Sequence, residues 1–105
     1  MKSFTDIEQS KKLAEILPVE SADMFYRDNE IDVKLMWEHN AQKVTNPCWS
    51  LAALLELIPK NYLIEANKKT TRTLYHITAI SGEVTHYHQD LVDAAVELLL
   101  KLKSR

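Results

Sequence analysis

His86-Tyr87-His88 sets two imidazoles on one face of a strand, and His76 lies on the strand before it. A three-histidine metal site is therefore the first chemistry to weigh. Register decides against it. With Ser81-Gly82 as a two-residue hairpin turn, Ile80 pairs with Glu83, Ile77 with His86 and His76 with Tyr87. His76 then stands on the face opposite His86 and His88. No carboxylate or thiolate sits at a supporting spacing, so the expectation is no metal and a pair of solvent-facing histidines.

Cys48 is the only cysteine. Placed at a helix N-terminus, its thiol would feel the dipole that lowers a thiol pKa, but no base accompanies it in the sequence. The bland alternative is a small residue packed beside Trp49. Paired carboxylates occur only as Asp28 with Glu30 and Asp90 with Asp93. These read as turn and cap residues rather than as an acid and a base with separated pKa values. With Gly82 the only glycine, no glycine-rich phosphate loop can form. The expectation is no catalytic residues, no cofactor and no enzyme.

The elements that would carry these groups follow from periodicity. Thr5 to Leu17 reads as a helix, capped by Thr5 or Asp6 and stopped by Pro18. Met24 to Tyr26 and Ile31 to Trp37 read as strands joined by a turn over Arg27 to Glu30, and 39–45 as a polar loop. Asn46 and Pro47 suit the N-cap and first position of a second helix, which Pro59 closes. Its residues Leu51, Leu54, Leu55 and Ile58 share one arc; Trp49, Ala52, Ala53 and Glu56 share the other. Tyr62 to Ala66, Arg72 to Ile80 and Glu83 to His88 read as three further strands. Asp90 to Lys103 is an apolar helix with acid at its start and lysine at its end.

The expected fold class is α+β, in the order α-β-β-α-β-β-β-α. Three helices lie mostly on one face of an antiparallel sheet of four or five strands, and residues 1–105 form a single domain. A chain of 105 residues, 46% hydrophobic and 27% charged, can bury one core without disulfides. The near-neutral charge of −2 withholds the attraction on which sequence-independent nucleic-acid binding rests. There is no run of about 18 apolar residues such as a membrane span needs, and no signal-peptide h-region, so a soluble, cytoplasmic protein is expected.

Two surfaces remain as binding candidates. Lys60, Lys68, Lys69 and Arg72 surround the hairpin after the second helix and could contact phosphates. The order helix, three strands, helix from Asn46 to Lys103 resembles that of double-stranded-RNA-binding domains. Those domains grip phosphate with lysines at the start of the last helix, where this chain has Asp90 and Asp93. Trp49, Ala52, Ala53 and Glu56 form the second candidate, because tryptophan anchors interfaces and alanine admits a close backbone. The first helix, the last helix or a second copy in a homodimer could cover that arc, with cover from within the chain favoured.

Glu20-Ser21-Ala22-Asp23-Met24, the run Pro47-Cys48-Trp49-Ser50-Leu51-Ala52-Ala53-Leu54-Leu55-Glu56-Leu57-Ile58-Pro59, and Leu91 to Glu97 occur in that order. In this the chain resembles short uncharacterised proteins of phage and integrated mobile elements in Bacteroides-type gut bacteria. The resemblance implies a genetic context and no activity. The combined expectation is a non-enzymatic accessory protein that acts through contact with a protein partner. The alternative is a weak nucleic-acid-binding module.

Overall fold

The computed structural model describes residues 2–27, 30–33, 46–68 and 72–103. It is a small α+β protein with three helices and two small antiparallel sheets. Helix α1 spans Ile7–Ala14. Strands β1 (Met24–Arg27) and β2 (Glu30–Val33) form a hairpin, and the two residues Pro47–Cys48 (β3) pair with the other edge of β1. Helix α2 covers Leu51–Leu57, strands β4 (Leu63–Lys68) and β5 (Thr73–Thr78) form the second sheet, and helix α3 runs Leu91–Lys103.

The single sheet of four or five strands expected from the sequence is not what the described residues form. Strand order is β2-β1-β3 in one sheet and β4-β5 in the other. The third strand expected at Glu83 to His88 makes only isolated bridges, Thr78 to Val84 and Tyr75 to His88. Pairing follows the expected register at His88 and is slipped by one residue at Val84. Between them the Thr85 hydroxyl, rather than a backbone carbonyl, accepts the Ile77 N–H at 2.9 Å. A side chain that substitutes for the ladder breaks it locally. The turn expected over Arg27 to Glu30 is tighter, because Arg27 and Glu30 already pair. The far end of the expected second strand, 34–37, and the loop 39–45 lie outside the described residues.

Helix α1 starts where local chemistry is strongest. Asp6 accepts the Gln9 N–H at 2.8 Å, and the Gln9 side chain accepts the Asp6 N–H at 3.1 Å. This reciprocal capping box satisfies two N–H groups that have no partner within the helix. Thr5, the other cap candidate, does something else. It is fully buried and ties four segments together. Its N–H donates to the Trp49 carbonyl at 2.9 Å, and its hydroxyl accepts the Trp49 N–H at 3.1 Å. That hydroxyl also bonds Ser10 at 2.8 Å. The Thr5 carbonyl accepts the Tyr26 hydroxyl at 2.7 Å and the Cys48 thiol at 3.3 Å.

The expectation that Asn46 and Pro47 open the second helix is corrected. Phe25 pairs with Pro47, Met24 with Cys48, and the Tyr26 N–H donates to the Asn46 carbonyl. Proline suits an edge strand, where a missing N–H breaks no ladder. The cap is Ser50, whose hydroxyl accepts the Ala53 N–H at 3.2 Å. Asp23 fixes Ser50 from outside, accepting its N–H at 2.9 Å and its hydroxyl in a short contact. Helix α2 is thus a short helix with one dry side. Leu54 and Ile58 are buried, Leu51 and Leu55 partly so, and Ala52 and Glu56 are exposed.

Helix α3 is the main internal support. Val92, Ala94, Ala95, Val96, Leu98 and Leu99 are buried, and the helix packs on β5, α2 and α1. Ile77 from β5 and Leu13 and Leu17 from the α1 region complete the core with Trp49 and Leu54. Lys2 fastens the N-terminal segment to this helix. Its amide donates to Asp90 at 2.7 Å, and its ammonium reaches Asp93 at 2.8 Å and Asp6 at 3.1 Å.

Two substitutions test this arrangement. Thr5→Val keeps shape but strands the buried Trp49 N–H and Ser10 hydroxyl, and should cost about 1–3 kcal/mol in urea unfolding. Thr5→Ser, which keeps the hydroxyl, should lose less. Leu54→Asp puts an unpaired carboxylate into the core and should abolish cooperative melting, a loss of several kcal/mol. A sharp thermal transition in that variant would contradict the placement of α2.

Candidate functional site

The histidines meet a carboxylate that sequence spacing did not reveal. Glu97, on α3, accepts from the His86 amide at 3.0 Å, from the His86 ring at 3.1 Å, from His88 Nε2 at 2.7 Å and from Lys101 at 2.9 Å. Its side chain is 17% exposed. Burial alone would raise its pKa; the hydrogen bonds from Lys101, His88 and His86 outweigh burial and hold it down to about 2. A carboxyl group so saturated with donors is too acidic to deliver a proton and too weak a base to take one. It works as a clamp, fixing the segment that carries Val84 to His88 onto α3. Lys101 adds a bond to the Val84 carbonyl at 2.9 Å.

His76 stands on the other face of the sheet. It stacks on Tyr87 with ring centroids 4.4 Å apart, and its Nε2 lies 3.4 Å from Glu65. Among the described residues no group of three or more His, Cys, Asp or Glu could hold a metal ion.

Cys48 is not at a helix N-terminus, because Pro47–Cys48 is a strand. Burial pushes its thiol pKa up, and hydrogen bonds from Thr5 and Ser10 only partly offset this. The thiol donates to the Thr5 carbonyl. A protonated, fully enclosed thiol is a packing group, not a nucleophile.

Trp49, grouped with the exposed arc of the helix in sequence, is fully buried. Its indole N–H donates to the Ser21 hydroxyl at 3.0 Å. Cover for the tryptophan therefore comes from within the chain. The other three members of the arc stand apart from it. Ala52, Ala53 and Glu56, with Leu57, form one wall of an open groove of 400 Å³, and Glu20, Ser21, Ala22 and Asp23 form the other. Val19–Ser21 is a single 3₁₀ turn. It is held in place by the Ser21 hydroxyl on the Pro18 carbonyl at 2.6 Å and by the Trp49 indole. Its walls carry Ala22, Ala52, Ala53 and Leu57 as apolar lining and Glu20, Asp23 and Glu56 as carboxylates, with no cation among the described lining residues.

The basic residues do not converge. Lys60 lies before the start of β4 and Lys68 at its far end, so the six-residue strand runs between them. Lys68 pairs with Thr73, next to Arg72, at the hairpin end; Lys69 lies outside the described residues. Arg72 borders an open depression with Lys2, Thr73, Tyr75, Gln89 and Asp90. The Lys2 ammonium there is already bound by Asp6 and Asp93.

The chain matches no family model, and neither the curated proteins nor the solved structures yield a match to it. No helix among the described residues is long and apolar enough to cross a membrane.

The clamp generates a pH prediction. A carboxyl group whose folded pKa is depressed gives stability that is full above its unfolded pKa, near 4.5, and is lost as pH falls through about 2. Glu97→Gln should therefore cost on the order of 2 kcal/mol at pH 7 and flatten the acid limb of the stability curve between about pH 5 and pH 2. Urea unfolding across that range is the measurement. An acid limb identical to the parent chain would show that the clamp contributes nothing.

Proposed function

We propose that this chain is a non-enzymatic accessory protein of a phage or integrated mobile element, working in the cytoplasm through contact with another protein. The supporting observation is the groove between α2 and the Glu20–Asp23 turn, an open cleft lined by small apolar residues and three carboxylates. Two of the three segments that carry the resemblance to mobile-element proteins, Glu20 to Met24 and Pro47 to Pro59, supply its two walls. The partner that fits is a peptide segment with small apolar residues to fill the cleft and lysine or arginine to face Glu20 and Glu56. Charge of that kind steers encounter and fixes register more than it adds affinity.

The basic hairpin supports the nucleic-acid alternative less well, because Lys60 is separated from Lys68 and Arg72 along the strand.

Ala52 and Glu56 are exposed, so they can be changed without disturbing the core. Ala52→Arg combined with Glu56→Lys should leave the thermal midpoint unchanged. It should weaken retention of the native partner about tenfold or more, measured by capture from host lysate followed by carboxyl-to-amine cross-linking at Glu20, which both chains keep. Equal retention by the double variant would remove the groove from consideration.

A further inference from the structure

Among the described residues no strand pairs with the outer edge of β4, and the hydrogen-bond pattern shows which groups that edge offers. Tyr75 exchanges backbone bonds with His88 at 2.7 and 2.8 Å, Ile77 accepts from Thr85, and the Ala79 N–H donates to Glu83. Backbone groups alternate in direction along a strand, so Leu74, His76 and Thr78 are the residues that face β4. Their register partners are Asn67, Glu65 and Leu63. The N–H and C=O groups of Ile64, Ala66 and Lys68 therefore point away from the sheet. None of them has a backbone partner among the described residues. Five of the six residues of β4 are exposed, Ile64 alone being partly covered.

An open edge of this kind is a template for another strand. Self-pairing about a two-fold axis must match outward-facing residues with one another, which leaves few registers. Centring on Glu65 sets two carboxylates face to face, and centring on Ile64 or Asn67 leaves outward groups unpaired. Centring on Ala66 sets Ala66 against its own copy, Ile64 against Lys68 and Glu65 against Asn67. All three outward residues then bond, giving about six N–H···O bonds across the axis. No like charges stand directly opposite. The lysine stem lies over Ile64 with its ammonium in water, the asparagine amide meets the glutamate, and Glu65 already leans on His76.

We infer that β4 is a homodimerisation edge, pairing antiparallel with a second copy of this chain about a two-fold axis at Ala66. The joined sheet has four full strands. It brings together two copies of the outer face, on which the exposed Leu63 and Tyr87 stand. The contact is separate from the groove on α2. The contact is one edge strand from each copy, so the dimer is a weak one.

Sedimentation equilibrium over about 10 µM to 1 mM should show the mass rising from one chain to two. Ala66→Pro is the selective variant, because its lost N–H points outward and an edge strand tolerates proline there. Ala66→Lys brings like charges together at the axis without touching the backbone. Each should raise the dissociation constant about tenfold or more while thermal melting at low concentration stays unchanged. Amide exchange at Ile64, Ala66 and Lys68 should slow as concentration rises, and Ala52→Arg with Glu56→Lys should leave all of this intact. A parent chain that stays monomeric to the top of the range overturns the proposal. So does a dimer that either Ala66 variant leaves unaltered.

Discussion

The buried polar contacts of Thr5 are the constraint on which the rest of the structure depends. A threonine with no exposure needs partners for its N–H, its hydroxyl and its carbonyl, because each unpaired group would cost about 1–3 kcal/mol. Trp49, Ser10, Tyr26 and Cys48 supply them. Those four lie on three different elements and on the link into a fourth, so one residue sets where α1, β1, β3 and the entry to α2 stand relative to each other. Burial of the Tyr26 hydroxyl among them pushes its pKa up to about 12.

From that junction outward, two short helices and a two-residue strand are held by caps and ion pairs as much as by grease. Asp6 closes α1, Asp23 fixes the Ser50 cap of α2, and Lys2 ties both the α1 cap and α3 to the N-terminal segment. Burial alone would lower the Lys2 pKa; its bonds to Asp93 and Asp6 outweigh that and leave it raised. The greasy contribution comes from α3, whose side chains meet β5 on one flank and Leu13, Trp49 and Leu54 on the others.

Local signals were legible where one segment decides its own state. The period of α3 and the Asp6 cap read correctly, because propensity and capping act within a turn or two; the end of α1 did not, since the helix stops at Ala14 and not at Leu17 before Pro18. The start of α2 misled, since Asn46-Pro47 is as good an edge-strand entry as a helix entry. The choice is made by Met24 and Phe25, more than twenty residues away. Glu83 to His88 misled for a related reason. Ser81-Gly82 suits a hairpin turn into a strand, yet the Thr85 hydroxyl and Glu97 draw the segment off the ladder. Half of the groove could be read from the helical arc of Ala52, Ala53 and Glu56. The other wall could not, because no periodicity marks a single turn at Glu20 to Asp23. The Glu97 clamp left only its Lys101 spacing as a trace.

The indole of Trp49 has a consequence for observing this protein. Its one polar atom bonds Ser21, and Ser21 stands on the groove wall. A molecule seated there alters the local field and hydration felt by a fluorophore that is itself sealed from solvent. With the other tryptophan, Trp37, replaced by phenylalanine, the near-ultraviolet emission is a built-in optical gauge of that cleft, readable without any attached label.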